Sequence, residues 1–273
     1  MELTPAIFAI AVLFALLCQY MSISIGIGYG TVMTPLLLAI GFSPLQIIPA
    51  VLLSQLVGGT IGGLSHYKAG NIALAFRQDD RPVKGQPRRL NYLPRSTDAQ
   101  VILVLAVFGI IGVIAGVFLA VNIPQVALET YIGIVVLAMG MMIVLKLSYK
   151  GHSSWIVFII LGFVSAFNKG VSGAGYVPLV MGGQIIGGRT VKSSVGNTSV
   201  AVAIVCAVGF ISYLLVDGNI YWALAIAMTI GSIIAAPFAA VTVRKVNAER
   251  LRFITGFAIV ALGILILTRT YIY

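Results

Sequence analysis

The sequence contains very little charge and almost no cysteine or histidine. Only 9% of its 273 residues are Asp, Glu, Lys or Arg, whereas about 25% of the residues of a soluble domain are charged. So little charge cannot cover a surface in water, which excludes a soluble enzyme and a soluble nucleic-acid-binding domain. The two cysteines, Cys18 and Cys206, lie far apart within apolar stretches, so they indicate neither a disulfide framework nor a zinc site.

The chain consists mainly of long apolar stretches. Apolar residues make up 60% of it, and its mean hydropathy is +1.08. One helical crossing of a hydrocarbon layer about 30 Å thick needs about 20 residues. None of the stretches alternates apolar and polar residues as a membrane β-barrel does, so the sequence predicts an all-α integral membrane protein. The crossing helices are predicted near residues 3–24, 44–67, 98–121, 124–147, 188–215, 219–243 and 248–270, with a shorter one near 153–168.

Two further apolar segments, near 31–41 and 174–185, are too short to cross the bilayer alone. They bring the total to about ten helical segments. The N-terminal run at 3–24 has no basic residue before it and no convincing cleavage site. We therefore interpret it as a retained helix and not as a signal peptide.

The basic residues indicate the orientation of the chain in the membrane. Fifteen of the 17 Lys and Arg residues lie in the gaps at 68–98, 146–152, 186–192 and 244–252, which all fall on one side. Because basic loops stay in the cytoplasm, both termini are expected outside and the loop at 68–98 inside the cell. We expect a multi-pass protein of the cell (inner) membrane whose net charge of +10 comes from these loops. The loops can also contact anionic lipid headgroups.

The two halves of the chain resemble each other. The segment Gly26-Ile-Gly-Tyr-Gly30, followed by Thr34-Pro35, corresponds to Gly170-Val-Ser-Gly-Ala-Gly175, followed by Pro178, at a shift of 143 residues. Each half holds five helical segments, and an odd number inverts the second half relative to the first. We therefore expect two inverted repeats, 1–147 and 148–273, each with a short broken or re-entrant helix pair. This architecture is typical of secondary transporters, whose binding site lies near the bilayer midplane.

The glycine-rich segments predict interruptions in the helices near 25–31 and 169–176. Each interruption is followed by a new helix, whose first amides carry partial positive charge into the protein interior. Such helix ends suit a small anion, and two of them facing each other would hold an oxyanion from both sides. Close helix packing is the alternative interpretation of these segments. It is the interpretation that we prefer for Gly58, Gly59, Gly62, Gly63, Gly112 and Gly116.

Lys169 strengthens the hypothesis of an anion site because it interrupts an apolar region. A charge at mid-membrane costs a few kcal/mol and is a functional candidate; the alternative is that Lys169 extends to the outer interface. Polar residues nearby can add donors to the site or can simply link helices. The candidate substrate-binding residues are Gly26, Gly28, Tyr29, Gly30, Thr31, Ser54, Gln55, Asn168, Lys169, Gly170, Ser172, Gly173, Gly175, Tyr176, Asn197 and Thr198.

Other classes of function fit the sequence less well. Glu129 is the only carboxylate within a predicted crossing, and its place five residues after Pro124 favours the outer interface over a proton relay. A membrane-embedded enzyme would need a nucleophile with its base, or paired carboxylates, so we expect no catalytic residue, no cofactor and no metal site. A cation channel would need acidic rings. A sensory or assembly subunit would need an effector domain, although the loop at 68–98 could bind a partner.

With both glycine motifs in view, the chain resembles the sulfite exporter TauE/SafE family of membrane permeases over essentially its whole length. The resemblance rests on the two glycine segments with their prolines, and on the turns Gly70-Asn71 and Gly218-Asn219. It implies inverted repeats and a substrate among sulfite, sulfonates and other small sulfur-containing anions. The family often has consecutive glycines where this chain has Gly-Tyr-Gly and Gly-Ala-Gly-Tyr, and this departure concerns which anion is carried.

Residues and resemblance together predict a secondary transporter that exports a small sulfur-containing oxyanion, with sulfite favoured, by alternating access. The alternative is a permease for another small anion, such as a sulfonate, thiosulfate or sulfate, including one that works in the uptake direction. The expected partners are the small anion and the lipid bilayer, with no nucleic acid. A homodimer and the identity of the coupling ion are left open.

Overall fold

The computed structural model describes residues 4–74, 96–145, 154–242 and 248–272, apart from the side chains of 240–252. These residues form ten α-helices and no strand. The helices are α1 (Pro5–Ile25), α2 (Tyr29–Ile40), α3 (Pro44–Lys68), α4 (Thr97–Asn122), α5 (Gln125–Val144), α6 (Trp155–Ser172), α7 (Tyr176–Ile186), α8 (Val191–Val216), α9 (Trp222–Thr242) and α10 (Ala248–Ile272).

Eight of these helices are long and apolar enough to cross a membrane, and α2 and α7 are the two short ones. The prediction of an all-α membrane protein with about ten helical segments is confirmed. At about 1.5 Å per residue, α2 and α7 each reach only about half-way through the hydrocarbon layer. The helix that the sequence predicts as short, near 153–168, extends to Ser172 and reaches span length as α6.

Hydroxyl side chains begin several of the helices, and left-handed glycines end several of them. At four N-terminal ends, hydroxyl side chains accept hydrogen bonds from first-turn amides, as N-caps do. At the interior ends of α1 and α6, a left-handed glycine ends the helix, Gly26 at φ 71° and Gly173 at φ 69°. Residues with a side chain rarely adopt this backbone conformation, so the position of the glycine determines where each of these two helices ends. The hydroxyl N-caps are Thr4, Ser96, Ser154 and Thr190.

Small residues allow the helices to approach closely, as predicted for the packing glycines. A Cβ atom on Gly112 would lie 2.3 Å from the Phe163 carbonyl oxygen, and one on Gly116 would lie 2.2 Å from that of Phe167. These contacts press α4 onto α6. On α3, a Cβ on Gly59 would lie 3.1 Å from the Ser199 carbonyl oxygen of α8. Backbone contact of this kind is how membrane helices associate without a hydrophobic driving force.

The helix pairs that pack together show a regular relation: exchanging α1–α5 with α6–α10 turns each pair below into another such pair or into itself. The pair α4–α6 matches α9–α1, and α3–α9 matches α8–α4, while α3–α8 and α5–α10 match themselves. These are the pairs that an internal two-fold relation between α1–α5 and α6–α10 would produce. The division into repeats 1–147 and 148–273, and their inverted orientation, stay predictions.

The outer surface of the helix assembly is apolar, as lipid contact requires. Leu13, Ile111, Ile134 and Ile264 are each more than half exposed, and a soluble protein rarely shows so large an apolar surface. Most of the polar loop at 68–98, and the basic side chains of the gaps at 146–152 and 244–252, lie outside the described residues.

Polar contacts tie the end of α10 to α5 and to the short helix α2. Glu129 accepts hydrogen bonds from Gln125 Nε2 at 2.7 Å and from Thr270 Oγ1 at 3.4 Å. Arg269 donates to the carbonyl oxygens of Leu38 and Ala39 at 2.8 and 3.0 Å. Its positive charge therefore lies at the C-terminal end of α2, where the helix dipole favours it.

Candidate functional site

The helices are interrupted at the two predicted places. We call residues 26–28, between α1 and α2, break 1, and residues 173–175, between α6 and α7, break 2. Each break begins and ends with a glycine of positive φ, and a tyrosine, Tyr29 or Tyr176, opens the next helix. Corresponding residues stand 147 positions apart, Gly26 with Gly173 and Gly28 with Gly175. The shift of 143 inferred from sequence is therefore four residues short at the breaks.

The two breaks lie together at a crossing within the protein, each against the first turn of the short helix that follows the other break. A Cβ atom on Gly28 would lie 2.8 Å from Pro178 Cδ. A Cβ atom on Gly30 would lie 1.7 Å from the Gly173 carbonyl oxygen. The Gly175 amide donates to Thr31 Oγ1 at 3.3 Å. Every residue of 22–31 and of 168–178 is buried. The N-terminal ends of α2 and α7 therefore meet deep inside the molecule, far along the chain from each other.

Lys169 lies at this crossing and is 1% exposed. It belongs to the last turn of α6 and not to a loop, because α6 continues to Ser172. Its ammonium group donates to Gln55 Oε1 on α3 and, at 2.6 Å, to the Gly173 carbonyl oxygen. These bonds occupy two of its three donors. Among the described residues no carboxylate lies within ion-pair distance of Lys169, so its charge is solvated by neutral oxygens.

Three buried hydroxyl groups near the crossing have no hydrogen-bond partner among the described residues: those of Thr34, Ser165 and Tyr176. Thr34 Oγ1 would lie 3.0 Å from a Cβ on Gly173. Ser165 stands one helical turn before Lys169 on the same face of α6. Buried hydroxyl groups are nearly always bonded to protein or water. Three unbonded ones on the helices that meet at the crossing, α2, α6 and α7, indicate that a polar solute or water would be accepted there.

Asn168, Gly170 and Ser172 hold break 2 in place. Asn168 Oδ1 accepts from Tyr131 at 3.0 Å, and Ser172 Oγ accepts from the Ala174 amide at 3.1 Å. The Gly170 carbonyl oxygen accepts from Tyr213 at 2.8 Å. These three predicted site residues are therefore engaged in shaping the backbone around Lys169.

Tyr29 and Ser54 form a second polar group beside break 1. Ser54 Oγ lies 2.8 Å from the Tyr29 hydroxyl, 2.7 Å from Ser232 Oγ and 3.0 Å from the Met228 carbonyl oxygen. Ser232 and Met228 belong to α9, which was not predicted to contribute to the site. No sequence signal marks Ser232, because a single serine in an apolar helix is common.

Asn197 and Thr198 do not join the group around Lys169. Asn197 Nδ2 donates to Asp98 Oδ1 at 3.0 Å and to Gln184 Oε1 at 3.1 Å, and Gln184 Nε2 donates to Thr198 Oγ1 at 2.9 Å. Asp98 also pairs with Arg189. Asp98 ends the predicted polar loop and Arg189 is one of the basic residues that indicate topology, so neither was predicted as a site residue.

A cavity of about 120 Å³ lies beside Arg189. It is lined by Thr97, Val101, Trp155, Phe158, Gly187 and Arg189. In this structure the breaks beside Lys169 are closely packed, whereas this cavity lies at the other end of α7.

Comparison with known proteins shows the family. A sequence model described as "Sulfite exporter TauE/SafE" matches residues 90–266. The chain belongs to the TauE/SafE family. It is also 26% identical over 254 residues to the "Probable membrane transporter protein YtnM" of Bacillus subtilis (strain 168), with 88% of this chain and 76% of that protein covered. No solved structure matches the chain.

Membership of the TauE/SafE family makes the chain a membrane transporter. The matched range contains α4 to α9 and most of α10, and with them break 2, Lys169, Asp98 and Arg189. Break 1 lies before the matched range, and its place opposite break 2 is a finding of the structure.

Proposed function

We propose that the protein is a secondary transporter that exports a small sulfur-containing oxyanion, with sulfite as the first candidate. The anion binds where breaks 1 and 2 cross and moves by alternating access. The observation that carries this proposal is the buried ammonium group of Lys169, which has no carboxylate beside it among the described residues. The class of substrate follows the description of the family that this chain matches.

The charge of Lys169 selects an anion over a cation. A charged side chain at the centre of a bilayer costs about 2.5–3.5 kcal/mol on insertion scales. Two neutral oxygens, from Gln55 and Gly173, lower this cost but leave a full positive charge. An anion entering beside Lys169 neutralises that charge, whereas a cation would be repelled by it.

The surrounding groups supply further donors. Rotation of the Gln55 amide by half a turn presents its N–H₂ group in place of Oε1. The hydroxyl groups of Thr34 and Tyr176 are buried and free to donate. The N-terminal ends of α2 and α7 add the equivalent of about half a positive charge each. This set of donors is suited to three or four equivalent oxygens, as sulfite or sulfate offers.

The short helices are suited to open the site to each side in turn. Break 1 lets α2 move relative to α1, and break 2 lets α7 move relative to α6, without disturbing the spanning helices.

In the proposed orientation the protein lies in the inner membrane, with both termini outside and the loop at 68–98 in the cytoplasm. The short helix α2 then ends at the outer face of the membrane, and α7 ends at the inner face. A cysteine placed at Thr4 then reacts with an impermeant maleimide added to intact cells. Labelling only after lysis contradicts this orientation.

Sulfite flux in proteoliposomes tests the function. Wild-type protein is expected to exchange sulfite across the membrane, and Lys169→Gln is expected to abolish exchange while the protein remains folded. Lys68→Gln is the matched control, since it removes the same charge from an exposed side chain. Unchanged flux in Lys169→Gln would remove this residue from the mechanism.

The second candidate is a permease for a sulfonate, thiosulfate or sulfate, including uptake of such an anion. The same ammonium group and hydroxyl donors fit each of these anions. Competition by each anion in the sulfite exchange assay ranks them. Vesicles that start with the anion either inside or outside, but not on both sides, show the direction of net transport.

A further inference from the structure

The carboxylate of Asp98, at the start of α4, is surrounded by donors. Oδ2 accepts from the Ala73 amide at 2.9 Å. Oδ1 accepts from Ser193 Oγ at 2.6 Å, from Asn197 Nδ2 at 3.0 Å and from Arg189. Asp98 and Arg189 are 14% and 15% exposed. Because several groups donate to it, the Asp98 carboxylate keeps its position when one donor, such as Arg189, moves away.

Arg189 is less completely bonded than its partner. Its Nη2 atom serves Asp98 and, at 3.2 Å, Ser193 Oγ. Its Nε atom also has no partner among the described residues, but it is fully buried and does not face open space. No described residue is bonded to Nη1, which carries two of the five N–H donors of the guanidinium group. The same side chain lines the cavity of about 120 Å³. An arginine with donors to spare beside an open volume can bind an anion there.

The cavity also lies at the N-terminal ends of two helices. Thr97 and Trp155, which line it, are the first residues of α4 and α6. Both helix dipoles therefore add positive potential to the volume beside Arg189. A volume of about 120 Å³ is several times the share of one water molecule in the liquid, so a small oxyanion with part of its hydration shell fits.

We propose that this cavity is a second oxyanion site, in which Arg189 binds the solute and Asp98 competes with the solute for the guanidinium group. The proposal rests on the proposed function, and it places the second site at the cytoplasmic end of the pathway. Arg189 follows α7 by only a few residues. An anion that draws it from Asp98 therefore loosens the tie between α7 and α4, and this links arrival of the solute to movement of the short helix.

Fluorescence of Trp155 reports occupation of this site directly. The chain has two tryptophans, and Trp222→Phe leaves Trp155 as the only one. Sulfite added to this variant in phosphatidylcholine nanodiscs is expected to change the emission saturably. Arg189→Gln is expected to weaken the response by about tenfold or more, and Asp98→Asn to strengthen it because Arg189 is released. Lys169→Gln is expected to leave it in place.

If Arg189→Gln does not fold, Arg189→Lys and Asp98→Asn test the same ion pair in its place. The inference is overturned if sulfite gives no saturable response, or if the response in Arg189→Gln stays within about twofold of the parent. A response only to phosphatidylglycerol, added in place of sulfite, would assign the cavity to a lipid headgroup and also overturns it.

Flux separates this inference from the proposed function. An Arg189-dependent emission change without sulfite exchange in wild-type vesicles keeps the second site and refutes the transport of sulfite. Sulfite exchange that is unaffected in Arg189→Gln, with no emission change, refutes the second site alone.

Discussion

Replacing Gly30 by alanine tests whether the crossing of the two breaks is essential. Gly30 lies in the first turn of α2, and its added Cβ would meet the Gly173 carbonyl oxygen at 1.7 Å and Lys169 Nζ at 2.9 Å. Ordinary contacts of a Cβ begin at 3.4 Å. Because the obstacle is backbone, the first turn of α2 and break 2 must separate by more than 1 Å, and the bond between Lys169 and Gly173 is disturbed.

The cost can be estimated from two opposing effects. Overpacking of a close-packed interior costs about 1–3 kcal/mol, while alanine in a helix is favoured over glycine by about 1 kcal/mol. The free energy of unfolding should therefore fall by at most about 2 kcal/mol, and the protein should still fold. A displacement of about 1 Å at a reacting centre lowers enzyme rates by about 100-fold. We expect a loss of sulfite exchange of the same order.

Gly182→Ala is the control for this experiment. Gly182 lies in the other short helix, α7, and nothing lies within 4 Å of where its Cβ would be. Alanine there is expected to leave flux unchanged and to raise stability slightly. Flux per folded molecule and the thermal unfolding midpoint in detergent are measured for both variants. Wild-type flux in Gly30→Ala would refute the conclusion that transport needs this crossing.

Three other substitutions have expected outcomes. Tyr176→Phe removes a buried hydroxyl group without a partner among the described residues, so stability is expected to be unchanged or higher, while sulfite affinity by calorimetry falls about tenfold; unaltered affinity would exclude this hydroxyl from the site. Tyr29→Phe removes the contact with Ser54 and is expected to lower the free energy of unfolding by about 1 kcal/mol, and an unchanged value would show that this contact adds no stability. Arg269→Gln removes a charged donor from two carbonyl oxygens of α2 and should lower it by about 1–2 kcal/mol, measured by thermal unfolding; a rise in stability would contradict this role.

Much of the secondary structure could be predicted because its causes are local. Apolar length predicts where helices cross, and the glycine-rich segments predict where they are interrupted. Helix ends differ from the predicted ones by a few residues, most of all at α6, which continues through Lys169 to Ser172. The loop expected there is shorter because Gly173, and not Gly170, adopts the left-handed conformation.

The composition of the candidate site could be predicted only in part. Lys169 was found because one charge in an apolar stretch is visible in sequence. Asp98 and Arg189 were not predicted as site residues. Charged residues beside loops usually reflect the topology of the chain, so their positions in the sequence do not distinguish a site. Asn197 and Thr198 were grouped with Gln55 by similar places along their helices, whereas the structure bonds Asn197 to Asp98 and Thr198 to Gln184.

The sequence alone determined that this chain lies in a membrane as a set of helices, two of them cut short by glycine. These properties depend on hydropathy and backbone freedom, which act within a few residues. Only the tertiary structure decided that the start of α2 lies against break 2, that Gln55 accepts from Lys169, and that Arg189 pairs with Asp98. Such contacts join residues more than 90 positions apart, so they depend on how the helices pack and not on any local pattern.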